Sequence, residues 1–158
     1  MKIAVLADTH VPKRAKRLPT RAYEIINDVD AIIHAGDVLT EEFIQSLNAM
    51  APVYAVLGNN DIGLELPERL ELLWDSVRIG VIHDSGTSKG RAARMRRTFP
   101  TADVVVFGHS HIPMNIREDG LLLFNPGSPT DRRMQPKHTM GLLTLQAGKV
   151  DARIVELD

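Results

Sequence analysis

At 158 residues without a single cysteine, the chain is sized for one domain with a substantial core, and it excludes disulfides, a thiolate zinc site and a cysteine nucleophile. A formal net charge of −1, with 44% apolar and 25% charged residues, is that of an ordinary globular protein and argues against generic affinity for nucleic acid. The apolar run 3–7 is too short for a signal peptide and no run approaches membrane-spanning length, so the expectation is one domain over residues 1–158, soluble and cytoplasmic.

Residues 2–7 read as an apolar strand that delivers Asp8-Thr9-His10, followed by a loop with Lys13, Arg14, Lys16 and Arg17. Pro19 suits the first turn of a helix whose apolar face is Ala22, Ile25 and Ile26. Ala31–His34 is a second buried strand ending in Gly36-Asp37. Thr40 has the character of an N-cap, with Glu41 and Glu42 in the first turn and Phe43, Ile44 and Leu47 turned inward. Pro52 breaks that helix, and residues 53–57 form a third strand ending in Gly58-Asn59-Asn60-Asp61. This alternation predicts a parallel sheet for the first third of the chain.

The pattern then changes. Residues 66–74 and 77–82 read as strands joined at Asp75-Ser76, the second ending in His83-Asp84. A basic helix is expected over 88–99, with Ala92, Met95 and Phe99 inside and Arg91, Arg94, Arg96 and Arg97 solvated. Residues 103–107 are a strand apolar on both faces that stops at Gly108-His109-Ser110-His111. The last third reads as two hairpins, 115–124 around Glu118-Asp119-Gly120 and 140–155 around Ala147-Gly148-Lys149. Two packed sheets with helices outside is the simplest architecture for this order.

Five apolar strands thus close on donor side chains: Asp8 and His10, Asp37, Asn59, His83, then His109 and His111. Gly36, Gly58 and Gly108 stand just before a donor, where a missing side chain lets the backbone turn or approach a bound ion. Seven nitrogen and oxygen donors exceed what one tetrahedral ion needs and suit two ions sharing a carboxylate. Imidazole, carboxylate and amide donors together favour manganese first, then nickel, iron or zinc, over calcium or magnesium. His34 is read as a packed histidine behind the donors, His138 as a surface residue, and the basic loop as either a phosphate attractor or a solvated turn. The arginine-rich helix has little aromatic company for stacking bases, so nucleic acid is left open but not favoured.

Asp8-Thr9-His10, Gly36-Asp37, Gly58-Asn59-Asn60-Asp61, His83 and Gly108-His109-Ser110-His111 resemble the calcineurin-like metallophosphoesterases, and the short chain with Asn125-Pro126-Gly127-Ser128 is similar to their small prokaryotic phosphodiesterase branch. The resemblance implies an α/β fold, a four-layer αββα sandwich of two mixed sheets flanked by helices. It further implies that Asp8, His10 and His111 bind one divalent ion, Asn59, His83 and His109 a second, and that Asp37 bridges. It implies a phosphodiesterase acting on a small phosphodiester or nucleotide-type substrate through a metal-bound hydroxide. Asn60 and Asp61 fall on the family's catalytic pair, but Asn60 stands where many members carry histidine, and Asp84 where glycine is usual. An amide cannot deliver a proton as imidazolium does. The rival expectation is a non-catalytic scaffold of the same fold, like the retromer subunit. The roles of Asp84, Asn125 and the basic loop, the metal's identity and any homo-oligomer are left open.

Overall fold

The protein is described by a computed structural model covering residues 1–158. Strand β1 (Lys2–Leu6), helix α1 (Thr20–Ile26), β2 (Ala31–His34), α2 (Glu41–Asn48) and β3 (Val53–Ala55) alternate as the sequence predicts. β4 (Arg69–Trp74), β5 (Val77–Ile82), α3 (Arg91–Thr98) and β6 (Val104–Val106) follow, then the hairpins β7 (Met114–Glu118) with β8 (Leu121–Asn125) and β9 (Thr139–Gln146) with β10 (Lys149–Glu156). They form two mixed five-stranded sheets, ordered β10-β9-β1-β2-β3 and β4-β5-β6-β8-β7.

Side-chain alternation makes the four layers. Ile3, Val5 and Ala7 point between the sheets, where they meet Val77, Ile79, Val81, Val104, Val106 and Phe124. Ala4 and Leu6 on the opposite face of β1 pack with Ala22, Ile26, Phe43 and Leu47 of α1 and α2. Val105 and Phe107 likewise turn from the central layer to Ala92, Met95 and Phe99 on the α3 side. The expected αββα sandwich is therefore the fold.

Direction matters more than layering for the site. β1, β2 and β3 pair in parallel, and so do β5, β6 and β8. The carboxyl ends within each set consequently gather at one edge, where ligands of open α/β sheets collect.

Several expected boundaries shift. β4 begins at Arg69 rather than at residue 66: Pro67 has no N–H for a ladder, and its carbonyl instead accepts from Leu57. Leu64 and Leu66 pack on the α2 side. α3 begins three residues later than expected because Gly90, at φ +71°, turns the chain into it. Arg97 is exposed as expected, but Arg91, Arg94 and Arg96 are only partly so. Arg94 donates to the carbonyls of Ser85, Thr87 and Lys89, Arg96 to those of Pro100 and Ala102, and Arg91 stacks 5.0 Å over Phe107. They pin the flanking loops.

Phe124 is fully buried between the sheets, and its ring fills the space that a side chain at Gly141 would need. Phe124→Ala should cost about 3–5 kcal/mol, read as a lower denaturation midpoint at unchanged slope. A loss below about 1 kcal/mol would mean that the central layer does not close around this ring.

Candidate metal centre

The donors that the sequence singles out arrive at one edge from both sheets. Asp8 and His10 follow β1, Asp37 follows β2, Asn59 to Asp61 follow β3, His83 follows β5, and His109 and His111 follow β6. The loops carrying them are laced together by their backbones: Asp8 N–H donates to Gly36 O (3.0 Å), His10 N–H to Asp37 O (3.1 Å) and Gly108 N–H to His83 O (2.9 Å). Asp8, His10, Asp37, His109 and His111 all lie at positive φ, between 46° and 73°. Residues with side chains rarely adopt that conformation, and each costs on the order of 1–3 kcal/mol, a type of strain that clusters at functional sites.

Two converging groups result. Asp8, His10 and His111 offer ligand atoms that all lie within 4.8 Å of one another, and so do Asp8, Asp37 and His83. Asp37 Oδ2 sits between the two, 3.4 Å from His10 Nε2 and 3.6 Å from His83 Nε2. Asp8 Oδ1 is 3.7 Å from His111 Nε2 and 3.9 Å from His83 Nε2. Asn59 Oδ1 lies 2.9 Å from His83 Nε2 and 3.3 Å from His109 Nδ1. His109 stands half exposed at the outer margin, outside both tight groups.

The ring tautomers follow from the acceptors behind them. His83 Nδ1–H donates to Ala35 O (2.7 Å) and His111 Nδ1–H to Asp131 O, so in each neutral ring the Nε2 lone pair faces the cluster. His83 Nε2 lies 2.9 Å from the Asn59 amide oxygen. Asp8 Oδ1, His10 Nε2 and His111 Nε2 are buried without any hydrogen-bond partner. Buried polar atoms are otherwise almost always satisfied. Three orphaned donor atoms thus converge in one place, and their nitrogen and oxygen chemistry fits divalent cations.

Electrostatics agree. Burial, with Asp37 close by, pushes the Asp8 carboxyl up to about 8. Burial also lowers His10 and His111, keeping both rings neutral and ligand-ready. It works to raise Asp37 too, but two hydrogen bonds from Asn60 and the nearby His83 and His10 outweigh it and hold that carboxyl below the usual range.

The three glycines serve other donors' side chains. A Cβ at Gly58 would collide with Asp37 Oδ1, one at Gly36 with the His83 ring, and one at Gly108 with Ala7 and Asp8. Asn60 donates through its backbone (2.9 Å) and its amide (2.8 Å) to the two Asp37 oxygens. The Asp61 carboxylate is fully occupied by the N–H groups of Gly58, Asp37 and Leu39, so it clamps the loop and does not face position 60. Asp84 is exposed, accepts from Gly86 N–H and lies 4.0 Å from His109 Nε2. His34 is buried behind the donors as expected: its Nδ1 accepts from Gly36 N–H, its Nε2–H donates to Thr9, and burial lowers it to about 3. His138 lies at the surface edge against Asp158.

Positioning residues beyond motif reading appear in the 125–131 segment. Asn125 donates to Gly108 O and Ser110 Oγ, steadying the loop between the two histidines. Ser128 Oγ donates to Asp8 O and accepts from Asp131 N–H, so one hydroxyl sets both Asp8 and the carbonyl behind His111. Only the Asn-Pro-Gly-Ser turn hinted at this.

Residues 1–148 match the family model described as the calcineurin-like phosphoesterase superfamily domain. A protein of Methanothermobacter thermautotrophicus named "Probable metallophosphoesterase" is 35% identical over 98% of this chain and 92% of its own. Among solved structures, Vacuolar Protein Sorting 29 from Cryptosporidium parvum superposes with a TM-score of 0.84 at 21% identity, covering 98% of this chain and 96% of that one. An archaeal phosphodiesterase does so at 0.73 and 25% identity, covering 98% and 100%.

Two outcomes follow from the geometry. Gly58→Ala should push away both the backbone and the carboxylate of Asp37 and cut divalent-ion affinity at least tenfold, by calorimetric titration, with folding checked by circular dichroism; unchanged affinity in a folded variant would show that Asp37 is not held against Gly58. The second concerns pH. His10, His34 and His111 are lowered, so their contribution to stability is complete above their unfolded value near 6.5 and is lost as pH falls. Asp8 is raised, so its contribution is full below its unfolded value near 3.8 and is lost as pH climbs towards about 8. From about pH 7, where the unfolded histidines are mostly neutral too, up to about 8 the metal-free chain should lose stability with rising pH, and the rise in Tm on adding manganese should be larger at pH 8 than at pH 6.5. An equal rise at both would contradict the burial of Asp8.

Proposed function

We propose that this chain, which belongs to the calcineurin-like phosphoesterase superfamily, is a phosphodiesterase that uses two divalent ions within a single domain over residues 1–158. The observation that carries the reading is the set of three buried, unpartnered donor atoms, on Asp8, His10 and His111, beside an Asp37 oxygen shared between two imidazoles. Asp8, His10 and His111 would hold one ion, Asn59, His83 and His109 the other, and Asp37 would bridge, with manganese the first choice. Ions held this way neutralise phosphoryl charge and make water a competent nucleophile at neutral pH.

The chain's own residues set the rest. Burial favours neutral His10 and His111, which offer lone pairs, and Ala35 O orients the His83 ring. Asn60 fixes both oxygens of Asp37 and brings no acid to a leaving group. Asp61 holds that loop rigid by accepting three backbone donors. A site without an acid at position 60 favours esters whose leaving oxygen needs little protonation, such as aryl diesters, over alkyl monoesters. No helix is long and apolar enough to cross a membrane. The proposed substrate is a small diester of the cytoplasm.

The second reading, a non-catalytic scaffold of the same fold, has support in the likeness to Vps29 structures, one of which, from Entamoeba histolytica, was solved complexed with zinc. Metal uptake therefore does not separate the readings; turnover does. Chelated protein should be inert towards bis(p-nitrophenyl) phosphate and regain activity with manganese, and Asp37→Ala should lose bound metal and at least 100-fold in kcat/KM while remaining folded. Metal-loaded wild type inert on a panel of diesters would favour the scaffold. Asn60→His should raise kcat/KM for alkyl more than for aryl leaving groups. Equal gains would show that an acid at position 60 is not what the site lacks.

A further inference from the structure

The candidate centre has two flanks of opposite charge. On the side of His10 and His111, Arg14 Nε lies 3.6 Å from Asp131 Oδ2, and Asp131 in turn holds His111 through its carbonyl. Exposed Arg133 follows two residues later, at φ +49°. Two guanidinium groups against one carboxylate leave this flank net positive.

The opposite flank is a pocket of about 300 Å³ that opens beside His83 and His109. Leu57 and Ile82 give it apolar surface, and Glu68 and Asp84 are its charged side chains. Apart from the two histidines, no basic side chain lines it. Arg91, which feels the charge of Asp84, is turned away onto Phe107 and gives its Nη2–H to Gly86 O. Glu68 and Asp84 are thus the acidic residues of its wall, Asp84 Oδ2 lying 4.0 Å from His109 Nε2.

Resting on the phosphodiesterase reading, we infer that this site takes an unsymmetrical phosphodiester: a neutral or amine-bearing arm enters the Glu68–Asp84 pocket and an anionic arm lies along Arg14 and Arg133. A polynucleotide, whose two arms both carry phosphates, would place one of them against the carboxylates. Small diesters with an amino-alcohol or nucleoside arm fit, and nucleic-acid strands do not. The discrimination is a rim effect of exposed charges, worth a few-fold per residue and screened by salt.

Binding tests this without relying on turnover. Phosphocholine carries a cationic arm on its phosphate, and phosphoglycolate an anionic one. Calorimetric titration of each into manganese-loaded protein at low ionic strength is compared for wild type, Glu68→Gln with Asp84→Asn, and Arg14→Gln with Arg133→Gln. All four positions are exposed, and the amide introduced at position 84 retains an oxygen for Gly86 N–H. The acid-flank variant should weaken phosphocholine by about three- to tenfold and leave phosphoglycolate unchanged or tighter. The arginine variant should do the reverse. Equal effects on both probes, no effect, or no binding of either probe to a protein that cleaves diesters would overturn the inference alone. A protein that takes up no divalent ion and cleaves no diester would instead remove the reading beneath it.

Discussion

Of the hydrogen bonds that join the two sheets at the candidate centre, the one made by Asp8 fixes the most around it. Asp8, at the end of β1, gives Oδ2 to the backbone N–H of His109, after β6 in the other sheet, at 2.9 Å. Its N–H goes to Gly36 O and its own carbonyl is held by Ser128. Everything around Asp8 is thereby fixed except Oδ1, which is left buried and without a partner. A carboxylate restrained at every other atom is a preorganised ligand: the cost of orienting it is met by the fold and not by the ion.

That cost is considerable. Five candidate ligands sit on left-handed backbone, and four of them, Asp8, His10, Asp37 and His111, are buried. Burial raising Asp8 while it lowers His10, His34 and His111 is the same desolvation acting on groups of opposite charge type. The strain persists because rigid neighbours surround it: continuous apolar layers below, and the paired loop backbones around it. Stability and function thus pull against each other at this edge, and divalent cations bound there would reconcile them.

Asn60 and Asp61 illustrate how neighbours in sequence divide roles. Asn60 reaches forward to the Asp37 carboxylate, whereas Asp61 reaches back to three amides of its own and the preceding ligand loop. A histidine introduced at position 60 would accordingly face Asp37 and would not inherit Asp61 as an orienting partner. The charge asymmetry of the two flanks, arginines near His111 and carboxylates near His109, is built in the same way, from residues far apart in the chain.

The sequence by itself determined the strands, their succession along the chain and the layering, and it named the candidate donors. Apolar runs of strand length closed by Asp8, Asp37, Asn59, His83 and His109 leave little freedom, because a buried strand must be apolar and its parallel neighbours must end at the same edge. Local punctuation was less legible: Pro67 and Gly90 moved the starts of β4 and α3, since a missing N–H and a positive φ act on single residues that periodicity averages over. Only the tertiary structure decided who serves whom. Gly58 makes room for Asp37, Gly36 for His83 and Gly108 for Asp8, each across strands, and Ser128 holds a residue 120 positions away. The arginines of α3 pin loops through carbonyls that carry no side-chain signature at all. Pattern records which face a residue needs; close packing and backbone hydrogen bonds decide which partner it meets there, and those are set only when the sheets come together.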